Sequence, residues 1–278
     1  MSDYKNFTVF VGWSGRKEIA RRLSGFLGSF FGGCLTVNFS EYIPGGEVWA
    51  TELNEFLSTA TFGLMCVTPS SRPAWLLYES GALSLSTAQD GTKERPRIVP
   101  LLFGVDTASL REDFGPLSHY QAVTFEKDAS FKKKFWNLMG DINNLSEERQ
   151  EAYRREHEDA LMQTQYLTAG RFDSQFNAYY PPFERDIRCL MAADTMDAHL
   201  KELEEDRFCK PAGKAAFLST GREFTELIRL EPPEVAQQYL IGRIQPTLDT
   251  VMKENGYPPV LRALAGDVDF LNDWLCKK

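Results

Sequence analysis

Long apolar runs are missing from this chain, and so is any excess of basic charge. A membrane-spanning helix needs roughly 20 consecutive apolar residues, and none of the apolar runs approaches that length. The first residues, MSDYKNF, are polar and charged rather than leader-like. No membrane partner is therefore expected. Lysine and arginine total 31 against 39 aspartates and glutamates, a net charge of -8. Phosphate-binding surfaces need clustered cations, so no nucleic-acid partner is expected either. The compact basic runs, Arg21-Arg22 and Lys132 to Lys134, read as solvated helix faces.

Cysteine and histidine are also sparse. The five cysteines, Cys34, Cys66, Cys189, Cys209 and Cys276, are odd in number, widely spaced and without a CxxC pair. That pattern suits a reducing cytoplasm and supplies no metal framework. His119, His157 and His199 are too scattered for a helical metal motif or a nucleophile–base arrangement. Metal, thiol and triad chemistry are thus not suggested.

What is present is an alternation of short apolar runs and helix-like patterns. With 43% hydrophobic residues in a length of 278, the chain can bury a substantial core. Phe7 to Val11, Leu35 to Phe39, Phe62 to Val67, Arg95 to Phe103 and Tyr120 to Phe125 read as strands. Pro100 inside the fourth predicts a bulged or edge strand. Helical patterns follow through Ile19, Leu23, Phe26 and Leu27, then through Val48, Trp49, Leu53, Phe56 and Leu57. A further pattern runs from Trp75 to Leu83, and one from Phe131 to Leu145 closes the region. Alternating strands and helices call for a five-stranded parallel sheet with helices on both faces. The α/β region is assigned to residues 1–145.

Residues 146–278 read as a mainly α-helical region of unknown role. Helical patterns cover Ser146 to Leu167, Phe183 to Phe208, Glu234 to Lys253 and Val268 to Leu275. Pro181-Pro182, Gly213, Pro232-Pro233 and Pro258-Pro259 are expected to punctuate them.

Three stretches carry candidate chemistry. Gly12, Trp13, Ser14, Gly15 and Arg16 follow the first strand. They form either a phosphate-cradling loop at a helix N-terminus or simply a tight strand-to-helix turn. Ile43, Pro44 and Gly45 precede the second helix as a mobile loop over the sheet edge or as its starting turn. The third stretch sets Glu79 four residues after Trp75, so both share a helix face. Glu79 is then either an exposed acid on an amphipathic helix or a carboxylate beside an aromatic wall at the ligand-binding end of the sheet. Tyr78, about 100° away around the helix, is assigned to the core.

The order and spacing of Gly12-Trp-Ser-Gly, Tyr42-Ile-Pro-Gly-Gly, the Phe62–Val67 strand, Trp75-x-x-x-Glu79 and Ile98-Val-Pro-Leu-Leu resemble bacterial TIR (Toll/interleukin-1 receptor) domains. Thr68-Pro69 followed by Trp75-Leu-Leu-Tyr-Glu-Ser-Gly-Ala-Leu is similar to the segment around the catalytic glutamate of the NAD-cleaving branch. The resemblance covers Asn6 to about Leu145. It implies a flavodoxin-like fold and an NAD+ nucleosidase, a glycohydrolase or cyclase with NAD+ as substrate, Glu79 catalytic and no further cofactor. Gly12 to Arg16, Ile43 to Gly45 and Trp75 would bind the substrate, with Trp75 contributing packing as well. Homo-oligomerisation through the Ile43 to Gly46 loop, cytoplasmic anti-phage defence, and a trigger or effector protein acting with the helical region would follow. A non-catalytic interaction scaffold and a nucleotide-binding sensor are the alternatives.

Overall fold

The computed structural model describes residues 7–39, 49–85, 96–125, 129–156 and 166–204, within two compact units, Met1–Phe183 and Glu184–Lys278. In the first unit five parallel strands, β1 (Thr8–Trp13), β2 (Thr36–Phe39), β3 (Phe62–Val67), β4 (Arg97–Phe103) and β5 (Val123–Phe125), pair in the order β2-β1-β3-β4-β5. They are linked by α1 (Lys17–Phe31), α2 (Trp49–Thr59), α3 (Pro73–Leu85) and α4 (Thr107–Asp113), the last followed by a short 3₁₀ turn, Gly115–His119. Helix α5 (Ala129–Glu156) comes after the sheet. This is a flavodoxin-like α/β fold. Every residue of β3 is buried, as expected of a central parallel strand covered by helices on both faces.

Helices α2, α3 and α4 cover one face, where Phe10, Met65, Leu53, Leu57, Leu76, Leu83 and Leu110 form a continuous core. Gly63 seats α3 closely against it, because a Cβ there would come within 2.7 Å of Leu83. On the other side the core is aromatic. Phe26 of α1 lies 5.3 Å from Phe135 of α5, and Phe125 at the end of β5 lies 4.1 Å from Phe131, centroid to centroid.

Two proline expectations are overturned. Strand β4 is interior rather than an edge, and its register with β3 runs residue for residue through Met65↔Pro100 without a bulge. Pairing with β5 starts only at Leu101↔Val123. Pro100 therefore has a strand neighbour on one side alone, which is locally the edge position that a missing N–H requires. The Pro181-Pro182 pair likewise does not end a helix but lies inside α6 (Ala169–Glu204). Within the first unit Phe172, Phe176, Tyr180 and Phe183 are buried along one stripe of α6, and both prolines are exposed. Phe183 stands 4.7 Å from Phe26, and Phe176 6.4 Å from Phe135. That stripe holds the helix through the prolines, which cannot donate to the carbonyls of the exposed Asn177 and Ala178 four residues earlier.

Helix α5 continues through Leu145, the boundary expected from sequence, to Glu156. Within it the buried Asn143 acts as a surrogate peptide group. Its Nδ2 donates to the Leu167 carbonyl at 2.9 Å and its Oδ1 accepts from the Leu167 N–H at 2.6 Å, fixing the chain just ahead of α6. In the second unit the described residues belong to α6, where Ile187 and Leu190 are buried and Glu184 pairs with Arg188 at 2.7 Å. The helices expected at Glu234 to Lys253 and Val268 to Leu275 lie outside the described residues. No described helix is long and apolar enough to cross a membrane.

Candidate functional site

Helix α3 starts with Pro73, whose absent N–H costs nothing in a first turn. The loop before it is folded on itself. Thr68 N–H donates to Ser71 Oγ at 2.9 Å, and Ser71 N–H returns to the Thr68 carbonyl at 3.0 Å. Leu76, Glu79, Ser80 and Leu83 form the buried face of α3. Glu79 therefore occupies a core position and is 0% exposed; the expectation of an exposed amphipathic acid does not hold. Tyr78 takes the opposite fate, 47% exposed, although its neighbours in sequence are apolar. Its ring sits 5.8 Å from that of the half-buried Trp75 and its hydroxyl contacts Asn54 Oδ1 at 3.5 Å. The reason is angular: seating Glu79 over the sheet rotates its preceding residue to the helix flank.

The i, i+4 spacing is realised as a hydrogen bond, Trp75 Nε1 donating to Glu79 Oε1 at 2.9 Å. Glu79 Oε2 is buried and makes no hydrogen bond of full geometry among the described residues, although the Trp13 main-chain N–H faces the carboxyl closely enough to favour its charged form. It rests over Gly12, where a Cβ would lie 2.6 Å from that oxygen and 2.7 Å from Met65 Sδ. Gly12 is thus glycine because the carboxyl group fills the space a side chain would need. Gly12 and Met65 are register partners at the carboxyl ends of β1 and β3. In the order β2-β1-β3-β4-β5, the crevice between β1 and β3 is the topological switch point, the place where open α/β sheets bind ligands.

Burial pushes the Glu79 carboxyl up to about 8, against the opposing pull of the Trp75 indole N–H and the Trp13 main-chain N–H. Burial, and next the Glu79 charge, push the Cys66 thiol far above its ordinary range, so this cysteine is not a nucleophile. The indole Nε1 of Trp13 is a second buried polar atom without a partner among the described residues. The Trp13 ring lies on the other face of β1 from Gly12, 6.0 Å from that of Phe39.

Residues Gly12 to Arg16 form the tight connection and not an open cradle. Ser14 Oγ donates to the Arg72 carbonyl at 3.0 Å and accepts from the Arg72 N–H at 2.7 Å. Gly15, at φ 106°, packs so closely that a Cβ would lie 2.6 Å from the Ser70 main chain. Arg16 is the N-cap of α1 and makes no side-chain capping bond. The fold thus brings Gly12, Trp13, Trp75 and Glu79 together and ties Ser14 and Gly15 to the loop before α3. Ile43, Pro44 and Gly45 lie outside the described residues. Met65 and the Arg72 main chain complete the arrangement. Neither was legible in sequence, because an apolar strand residue and a peptide group carry no motif.

Among the described residues no three His, Cys, Asp or Glu side chains cluster to hold a metal. Comparison with family models, with curated proteins and with solved structures returns no match.

Proposed function

We propose that this chain is a TIR-type enzyme that cleaves the nicotinamide–ribose bond of NAD+, releasing nicotinamide with ADP-ribose or a cyclic ADP-ribose isomer. One observation carries the reading: a carboxyl buried at the β1/β3 switch point, one oxygen held by Trp75 and the other without a hydrogen-bond partner among the described residues. Loss of nicotinamide leaves oxocarbenium character at the anomeric carbon, and a carboxylate in a water-poor crevice stabilises that charge strongly. Nicotinamide departs as a neutral base and needs no general acid. Water then bonds to the anomeric carbon and gives up a proton to solvent, yielding ADP-ribose, or a nucleophilic atom of the same molecule does so, yielding the cyclic isomer; a single glutamate suffices, with Trp75 orienting it so that Oε2 faces the ribose.

The raised pKa fits this division of labour. Without substrate the carboxyl is mostly protonated at neutral pH. A cationic nicotinamide riboside nearby favours the ionised form and draws the proton off. The Ile43 to Gly46 loop would pack one copy on the next as a homo-oligomer, and residues 146–278 would respond to a trigger or effector protein in cytoplasmic anti-phage defence. Incubating the full chain with NAD+, beside Glu79→Ala and Glu79→Gln, tests the proposal. Nicotinamide release by the unaltered chain alone is the expected result; equal release from all three sinks it.

The complete burial of Glu79 favours a second reading, an interaction scaffold or nucleotide sensor without turnover. Substrate reaches this carboxyl only if Trp75 or the Gly12 to Arg16 segment moves. Calorimetric NAD+ binding without product, in assembled as well as monomeric protein, would select the sensor, and no binding at all the scaffold.

A further inference from the structure

Glu79 is fully enclosed, so whatever meets its carboxyl must first displace a wall, and the described walls are fastened differently. One wall is the end of β1 with the turn that follows it. Gly12 and Trp13 are still held in the sheet opposite Met65 and Cys66. The buried Ser14 hydroxyl then bonds to both main-chain groups of Arg72, at 3.0 and 2.7 Å. Gly15, at φ 106°, leaves no space against the Ser70 main chain. Displacing this wall would strand buried main-chain groups without partners, which is costly.

The other wall is a side chain. Trp75 is the third residue of α3 and is half-buried. Its indole can turn about its own side-chain bonds and leave the main-chain hydrogen bonds of α3 intact. The turn gives up the bond from Nε1 to Glu79 Oε1 at 2.9 Å. It does not strand the ring in water, because Tyr78, 47% exposed, lies 5.8 Å away with the two ring planes 31° apart. Asn54 of α2 meets the Tyr78 hydroxyl at 3.5 Å and steadies that surface. The exposure of Tyr78 thereby acquires a use.

We propose that the Trp75 side chain is the gate of the Glu79 crevice: the indole swings from the carboxyl along the Tyr78 ring, while the Ser14–Arg72 clamp keeps the β1–α1 turn and the start of α3 in place. This deepens the NAD+ reading by naming what moves to admit the substrate. As a statement about access to one carboxyl, it is testable without turnover.

The test is covalent labelling of Glu79 in the full chain by a water-soluble carbodiimide with glycine ethyl ester, read by peptide mass spectrometry. Labelling of Cys66 by N-ethylmaleimide runs beside it as a gauge of unfolding. Cys66 is buried in the same strand, on the opposite face from Met65, and no swing of Trp75 uncovers it. In the unaltered chain Glu79 labelling should be flat in sub-denaturing urea, since a side-chain swing exposes little surface, while Cys66 labelling climbs. Trp75→Ala should speed Glu79 labelling about tenfold and Trp75→Phe, which keeps a ring without the N–H, about threefold, in proportion to the open fraction. Ser14→Ala should change it less than twofold. A Glu79 rate that climbs with urea in step with Cys66 would mean that exposure is unfolding, and would overturn the gate. So would unchanged labelling in both Trp75 variants, or a rise in Ser14→Ala equal to that in Trp75→Ala. Gated labelling in a chain that leaves NAD+ intact would support the gate and sink the NAD+ reading alone.

Discussion

Replacing Glu79 by glutamine should make the protein more stable at alkaline pH and less stable in acid. The buried carboxyl has a folded-state pKa near 8 against 4.5 in the unfolded chain. Between those values the unfolded state releases a proton that the folded state retains, so stability falls as pH rises. The loss is complete above the folded pKa and absent below the unfolded one. At ~1.4 kcal/mol per pH unit it amounts to about 3 kcal/mol at pH 7 and about 5 kcal/mol well above pH 8. Glutamine keeps an acceptor for the Trp75 indole but has no proton to lose. Its amide carries two N–H donors where the protonated carboxyl carries one, so one more buried donor is left unpaired, a pH-independent cost of about 1–3 kcal/mol. The two stability curves should therefore cross. Urea denaturation of both proteins across pH should show the difference between them changing by about 4 kcal/mol from pH 5 to pH 8.5. In melting temperature this is roughly 10 °C for a unit of this size. Parallel curves would refute the reasoning, because they would mean that Glu79 titrates alike in folded and unfolded chains.

Gly12→Ala should cost about 1–3 kcal/mol, since the new methyl overlaps Glu79 Oε2 and Met65 Sδ; the urea midpoint and NAD+ turnover should both fall, and unchanged stability would contradict the close approach. Trp75→Phe removes the indole N–H that lowers the Glu79 pKa. The carboxyl should then titrate higher still, and the rising limb of any kcat/KM profile should move to higher pH. Asn143→Ala removes both bonds to the Leu167 peptide and should destabilise by about 2–3 kcal/mol, with hydrogen exchange at the Leu167 amide accelerated more than that of β3.

Local pattern carried most of the sheet. Phe62 to Val67 reads as a buried strand because six consecutive apolar residues flanked by turn formers leave little alternative, and the strand has those bounds. The proline readings failed for a physical reason. Pro100 is tolerated because its neighbour β5 begins one residue later, and Pro181-Pro182 because the aromatic stripe beside them packs on α1 and α5. Both compensations come from residues far away in sequence. The facing of α3 was hidden as well. Its residues are apolar nearly all round, Trp75, Leu76, Leu77, Ala82 and Leu83, so no stripe marks which side is buried, and the 100° between Tyr78 and Glu79 does not say which of the two faces inward.

By itself the sequence determined the alternation of strands and helices, since β-branched runs and helical spacing act within a few residues. It also determined that Trp75 and Glu79 share one face, a matter of helix pitch alone. Only the tertiary structure decided that this face is turned inward and that Glu79 lies over Gly12 with one oxygen unpaired. Those facts depend on β1 pairing with β3, Val9 with Phe62 through Trp13 with Cys66, and on a glycine where the carboxyl meets the sheet.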